Sequence, residues 1–237
     1  MTETDKLVVL ELFAGTRSIG RAFEAHGHKV YSVEWDKRFE DIALYADIST
    51  LTADQCIELC GGRPDVIWAS PDCATYSVAA LGHHRKKDPK TGYLEPQTDY
   101  ARFCDATNAH LVDLIKELDP TYWFIENPRA ALRKMPWMQG LPRYTTCYCQ
   151  WGDTRMKPTD IWTNHPCPGF KPPCNYGDPC HERAPRGSRI GTQALKGSKD
   201  RARIPAPLCE HIVEICEDPE RGRVGNLTIE SFAGVRA

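Results

Sequence analysis

The chain has 237 residues, 41% of them hydrophobic and 26% charged, with a formal net charge of −2. That size and balance suit one substantial α/β domain with a small appendage, and they exclude a secreted disulfide-framework miniprotein. No apolar run approaches the roughly 20 residues of a membrane helix, and the polar start Met1–Lys6 lacks the regions of a signal peptide.

A cytoplasmic protein is therefore expected, with the 11 cysteines reduced and explained by burial, catalysis or metal. The near-neutral charge hides an asymmetry. Four Lys/Arg stand against one acid in 83–90, six against Asp153 in 129–157, and seven against Asp200 in 183–203. Each run alone reads as a solvated loop; three in a chain acidic overall suit a surface for a polyanion.

In chain order, Lys6–Leu12 predicts a buried strand that turns through Phe13-Ala-Gly15 into a helix over Ser18–His26, with Ile19, Ala22 and Phe23 at helical spacing. Val30–Trp35 predicts a second strand, 38–45 a helix, Ala46–Ile48 a weak third strand, and Thr52–Leu59 another helix. Asp65–Ala69 reads as a buried strand closed by Ser70-Pro-Asp-Cys73. Residues 77–97 show no periodicity and predict a long loop, which in compact domains is usually functional. Asp99–Leu118 predicts a long amphipathic helix, Tyr122–Glu126 a strand, Thr145–Trp151 and Asp160–Thr163 two more, and Pro205–Cys216 a last helix.

Strands alternating with helices imply a mostly parallel sheet, where ligands bind at the carboxyl ends of the strands. Gly15, Glu34, Trp35, Asp47, Cys73 and Glu126 all fall at or just after such ends. A carboxylate at Glu34 can accept both hydroxyls of a ribose, Trp35 offers a face for adenine, and Asp47 an acceptor for its amino group. Each alone is as readily a surface acid or a core aromatic; together they favour an adenosine site. The G-x-G-x-x-G phosphate fingerprint is absent, which disfavours a dinucleotide-dependent oxidoreductase. Cys73, in a rigid turn after a buried strand, is a candidate nucleophile once paired with Glu126.

In order and wording these segments resemble the cytosine-5 DNA methyltransferases. ELFAG at Glu11–Gly15, VEWD at Val33–Asp36 and ADI at Ala46–Ile48 look like the family's first three motifs. ASPDCATYS at Ala69–Ser77 is similar to its nucleophile motif and FIENP at Phe124–Pro128 to its acid motif. QWGDTRMK at Gln150–Lys157 and IPAPLCEHIVEIC at Ile204–Cys216 match the two that follow. Asp72 and Ala74 stand where the family usually has proline and glutamine, and a carboxylate beside the thiol opposes thiolate formation.

The resemblance implies a Rossmann-like S-adenosylmethionine-dependent methyltransferase with a mixed, mostly parallel sheet, acting on DNA as a monomer in a bacterial or phage-infected cell. It implies Cys73 as nucleophile on carbon 6 of a flipped-out cytosine, Glu126 as its acid partner and Arg155 holding the base's O2. Phe13, Ala14, Gly15, Glu34, Trp35, Asp47, Ile48 and Pro71 would hold the cofactor. Ser77, Asn127, Gln150 and Lys157 would contact the substrate, with loop 77–97 closing over DNA. The catalytic domain would comprise 1–164 and 204–217, with a small target-recognition insert at 165–203 and a tail at 218–237. An RNA substrate, or a non-catalytic nucleic-acid-binding relative, is the alternative.

Within the insert, Cys167, Cys174, Cys180 and His181 are ligand-type residues in a segment with little apolar content. Free thiols are the default there and a structural zinc the weaker reading, because the spacing is not a close-paired one. Cys147 and Cys149 alternate on a predicted strand and are expected to share a core face.

Overall fold

The structure, a computed structural model, describes residues 6–182, 200 and 202–222. In chain order the elements are β1 (Val8–Leu12), α1 (Ser18–Ala25), β2 (Lys29–Glu34), β3 (Leu44–Tyr45), α2 (Ala53–Cys60), β4 (Val66–Ala69) and α3 (Leu81–His84). There follow β5 (Arg85–Lys87), β6 (Leu94–Pro96), α4 (Asp99–Leu118), β7 (Tyr122–Pro128), β8 (Arg143–Cys147), β9 (Pro158–Thr163) and α5 (Ala206–Glu217). Among the described residues, seven strands form one sheet in the order β3-β2-β1-β4-β7-β9-β8. The first five are mutually parallel, and β9 runs antiparallel to both β7 and β8. This is the expected Rossmann-like, mostly parallel sheet.

The strands are short apolar runs because both faces are covered. Leu10, Leu12, Val33, Ile67, Ala69, Ile125 and Trp162 pack on the face of α2 and α4. Val9, Val66, Trp68, Phe124 and Ile161 pack on the opposite face with α1 and α5. Parallel pairing brings the carboxyl ends of β1, β2, β3, β4 and β7 to one edge. The antiparallel return of β9, with Thr159 opposite Pro128, delivers the connection 148–157 to that same edge. Among the described residues no helix is long and apolar enough to cross a membrane.

One charged residue interrupts the β1 core. Glu11 is 2% exposed; its Oε1 accepts the Gly20 amide at 3.0 Å and its Oε2 has no partner. A Cβ at Gly20 would run into that second oxygen, so a larger residue where α1 crosses β1 would have to displace the Glu11 carboxylate. Burial is the main cause that pushes the Glu11 carboxyl up to about 7. A carboxyl raised on folding makes the native state hold its proton longer than the unfolded chain. Stability is thus full below the unfolded value near 4.5 and is lost as pH rises through 7. The expected loss is about 3 kcal/mol at most, taking about 1.4 kcal/mol for each pH unit. Urea unfolding from pH 4.5 to 8 checks it: Glu11→Gln should flatten the slope, and an unchanged slope would contradict the assignment.

Several expectations are corrected. No helix forms over 38–45. Asp36 accepts the Arg38 amide at 3.0 Å and its Nε at 2.9 Å, and Asp41 takes a left-handed φ of 60°, which turns the chain instead. The third strand is Leu44–Tyr45, ahead of the expected 46–48. Asp47 caps a 3₁₀ turn over Ile48–Thr50 by accepting the Ser49 amide at 2.9 Å. The stretch 77–97 is not an irregular loop: it holds α3 and an antiparallel β5–β6 hairpin. The strand expected to reach Trp151 ends at Cys147 and gives way to a 3₁₀ turn over Tyr148–Trp151, so Cys147 and Cys149 do not alternate on one strand. Within the expected insert, 165–182 carries no helix or strand, while 183–199 lies outside the described residues, as does the tail beyond 222.

Candidate active site

The turn after β1 is strained. Phe13 has φ 54° and Gly15 φ 48°, the left-handed region that a bulky side chain rarely enters. The Glu34 carboxylate holds this turn, accepting the Gly15 amide at 3.0 Å on one oxygen and the Trp35 and Asp36 amides at 2.9 and 3.0 Å on the other. Phe13 is thereby presented to a cavity of about 300 Å³ that Trp35, Asp47, Ile48, Tyr100 and Phe103 also line. Trp35 is 69% exposed, and Tyr100 and Phe103 are exposed too, so three partly exposed aromatic side chains stand around one hollow. Apolar walls with a carboxylate at Asp47 suit an adenosine group, and the empty stacking faces fit a nucleoside better than a phosphate. A wider hollow of about 890 Å³ is lined by Gly15, Thr16, Arg21, Arg155, Arg203 and Ile204.

Beside this cavity, β4 ends at Ala69 and the chain turns through buried Pro71 and exposed Asp72 to half-buried Cys73. The turn is pinned from the neighbouring strand: Asn127 Nδ2 donates to the Pro71 carbonyl at 2.8 Å. It is pinned again on its far side, where a 3₁₀ turn over Ala74–Tyr76 follows and Ser77 donates from its amide to the Cys73 carbonyl at 3.0 Å. Asp72 accepts the Ala74 amide at 2.6 Å and the Tyr100 hydroxyl.

Arg85 locks this turn to α3, the hairpin and α4. Its side chain is fully buried, donates to Asp105 at 2.6 and 2.9 Å and to the Thr75 carbonyl at 2.9 Å, and lies 4.2 Å over the Tyr76 ring. Tyr76 in turn donates to Asp105 at 2.7 Å and accepts from Asn108 at 3.0 Å.

Glu126, on β7, is 6% exposed and accepts the Tyr148 hydroxyl at 3.0 Å. Tyr148 is fully buried, and Lys157 lies 4.4 Å over its ring. Burial pushes the Cys73 thiol up, the Asp72 and Glu126 carboxylates push it further, and the Lys157 ammonium pulls it down. The sulfur, the carboxylate and the ammonium therefore share one electrostatic neighbourhood, and the expected effect of Asp72 on the thiol is present.

The cofactor-side residues Phe13, Trp35, Asp47 and Ile48 come together around one cavity. Glu34 supports the turn, and Pro71 serves through its carbonyl. On the substrate side Arg155 and Lys157 have different surroundings. The Arg155 guanidinium is held by Asp153, with Nε at 2.9 Å from both carboxylate oxygens, whereas Lys157 is the cation that acts on Cys73. Asn127 is wholly buried and engaged with Pro71, Ser77 donates to the Ala74 carbonyl at 3.2 Å, and the Gln150 amide donates toward Cys180 at 3.5 Å. Of the basic residues, Arg85 is buried and Arg133 is paired with Asp160, so neither is a surface charge.

Tyr148 and the α4 residues Tyr100, Phe103, Cys104, Thr107 and Asn108 were not expected at the site. The i, i+3, i+4 spacing of Tyr100, Phe103 and Cys104 carries a signal, since they share one helix face. Nothing local marks Tyr148.

No protein-family model matches the chain. It is 26% identical over 228 residues to the "Probable DNA (cytosine-5)-methyltransferase" of Frog virus 3 (isolate Goorha), covering 88% of this chain and 99% of that protein. Among solved structures it is similar to a proposed DNA modification methyltransferase encoded in an E. coli prophage. That match has a TM-score of 0.49 and 16% identity, over 67% of this chain and 46% of that one. The S. pombe Dnmt2 methyltransferase gives a TM-score of 0.46 and 15% identity, over 67% of this chain and 49% of that one. The chain thus aligns with about half the length of these solved methyltransferases and nearly all of the viral protein.

Proposed function

We propose that this chain is a member of the cytosine-5 DNA methyltransferase family and that it methylates carbon 5 of cytosine in DNA through a covalent bond to Cys73. The observation that carries the reading is a half-buried thiol on a doubly pinned turn, under the joint influence of Glu126 and Lys157, beside an aromatic-walled cavity. When bound there, S-adenosylmethionine supplies a methyl group on a positively charged sulfur and leaves as the neutral thioether.

The chain's own residues do the rest. Cys73, as thiolate, bonds to carbon 6, and the displaced π pair builds up on carbon 5 while Glu126 gives a proton to N3. Carbon 5 takes the methyl group and then gives its proton to solvent. The re-formed double bond expels the Cys73 thiolate, and N3 returns its proton to Glu126. Tyr148 holds the Glu126 carboxyl in place, and Lys157 both favours the thiolate and faces the charge that grows on the ring. Arg155 acts through Asp153 to shape the turn that carries Lys157. The catalytic unit is assigned to 1–164 and 204–217, and target recognition to 165–203.

Expression in a host free of cytosine methylation, followed by sequencing for 5-methylcytosine, tests this. Modified cytosine in a recurring sequence context is expected. A folded protein that binds S-adenosylmethionine but leaves the DNA unmodified would rule the activity out.

A further inference from the structure

We propose that Cys149, Cys174, Cys180 and His181 form a structural zinc site that staples the segment after β9 to the turn after β8. Their ligand atoms all lie within 4.8 Å of one another. The Cys149 and Cys174 sulfurs are 3.3 Å apart, and Cys180 and Cys149 3.7 Å. His181 Nδ1 lies 3.7 Å from the Cys174 sulfur and 3.5 Å from that of Cys180. A tetrahedral zinc with bonds of about 2.3 Å to sulfur and about 2.0 Å to nitrogen sets its ligand atoms about 3.5–3.8 Å apart. The cluster has that size and donor set, and all of these cysteines are free thiols rather than disulfides. Three thiolates and one imidazole around a single point suit zinc better than a hard cation such as magnesium or calcium.

The setting gives the metal a task. Residues 165–182 have no helix or strand, and 171–176 are mostly exposed, so little apolar burial holds this stretch down. The first part is anchored to α5, with His165 Nε2 meeting the Ile215 carbonyl at 3.0 Å, His211 Nε2 the Pro168 carbonyl at 2.7 Å and Phe170 packed on His211; further on, Lys171 donates to the Gln150 carbonyl at 2.9 Å and lies 4.6 Å over the Trp151 ring, and the Glu182 amide donates to the Thr154 carbonyl at 2.9 Å. The Gln150 amide, pointing at the Cys180 sulfur from 3.5 Å, suits a thiolate that carries charge. This set corrects the ligand group read from the sequence. Cys149 takes the place of Cys167, whose amide instead meets His165 Nδ1 at 3.2 Å. Cys147 sits on the buried side against Cys174 and stays outside the four.

Metal analysis of the full chain, purified in reductant and dialysed against zinc-free buffer, should find about one zinc per chain. Cobalt(II) added to the stripped protein should give the intense visible absorption of a tetrahedral thiolate site, and X-ray absorption of the zinc form should count three sulfurs and one nitrogen. Cys167→Ser should keep the metal, and Cys174→Ser should lose it. Should Cys174→Ser fail to fold, His181→Cys decides, since it keeps four donors and should raise the sulfur count by one. Substoichiometric zinc, a Cys149–Cys174 disulfide in the reduced preparation, or an unchanged sulfur count in His181→Cys would each overturn the site. None of these readouts involves methyl transfer, so the metal site and the proposed activity fail or stand separately.

Discussion

Cys73→Ala is expected to lower methyl transfer to DNA by about 10⁴-fold or more, while the affinity for S-adenosylmethionine stays within about twofold. The asymmetry follows from the two sides of the site. The cavity proposed for the cofactor is lined by Phe13, Trp35, Asp47, Ile48, Tyr100 and Phe103, among others, and the Cys73 sulfur is not among its walls. The turn that carries Cys73 is held by backbone and by Asn127, contacts that alanine leaves in place. What alanine removes is the one atom able to bond to carbon 6, and no neighbouring group can replace it: Ser77 donates to the Ala74 carbonyl, and Cys104 is buried in α4 with its thiol pushed up to about 11 by burial. Equal losses of transfer and cofactor affinity would mean that the substitution damaged the fold rather than the chemistry.

Arg85→Met is expected to cost about 3–5 kcal/mol of stability, the size seen when one partner of a buried ion pair is deleted. Without the guanidinium, the Asp105 carboxylate stays buried with only the Tyr76 hydroxyl as a donor, and the Thr75 carbonyl loses its partner. Arg85→Met combined with Asp105→Leu should cost clearly less than the two single changes added together, since neither member is then left charged and alone. Urea unfolding of the four proteins measures this. Additive losses would show that the two side chains do not depend on each other. The pair also helps to fix the turn of the proposed nucleophile, because Arg85 ties Thr75 and Tyr76, two and three residues past Cys73, to α4.

The same pair explains why part of this fold was hidden in the sequence. Four of the five parallel strands and α4 were legible, because strands buried on both faces must be apolar and a long helix must repeat its apolar face, whereas the short, partly exposed edge strand Leu44–Tyr45 lacks that signal and was expected two residues later. The β5–β6 hairpin was not: Arg-Lys-Lys and Leu-Glu-Pro carry no alternation, and the hairpin is tied to the next helix by the buried Arg85–Asp105 pair and by Leu94 in the core. The false helix at 38–45 failed for a local reason, the Asp36 carboxylate bending back onto Arg38.

The candidate site divides in the same way. That Phe13, Trp35 and Asp47 would come together, with Cys73 and Glu126 on the same edge, was legible because they lie at or near the carboxyl ends of parallel strands, where topology alone brings residues together. Tyr148 and Lys157 act on the site through an antiparallel return that strand counting does not reveal, and Cys149 meets Cys174 and Cys180 only across that return.

The most direct measurement is covalent trapping. DNA carrying 5-fluorocytosine blocks loss of the group at carbon 5, so an enzyme that bonds to carbon 6 remains attached after methyl transfer. With S-adenosylmethionine present, one DNA adduct per chain is expected, mapped by peptide mass to Cys73 and missing from Cys73→Ala. Methylation of ordinary cytosine with no trapped complex, or an adduct on another cysteine, would contradict the account.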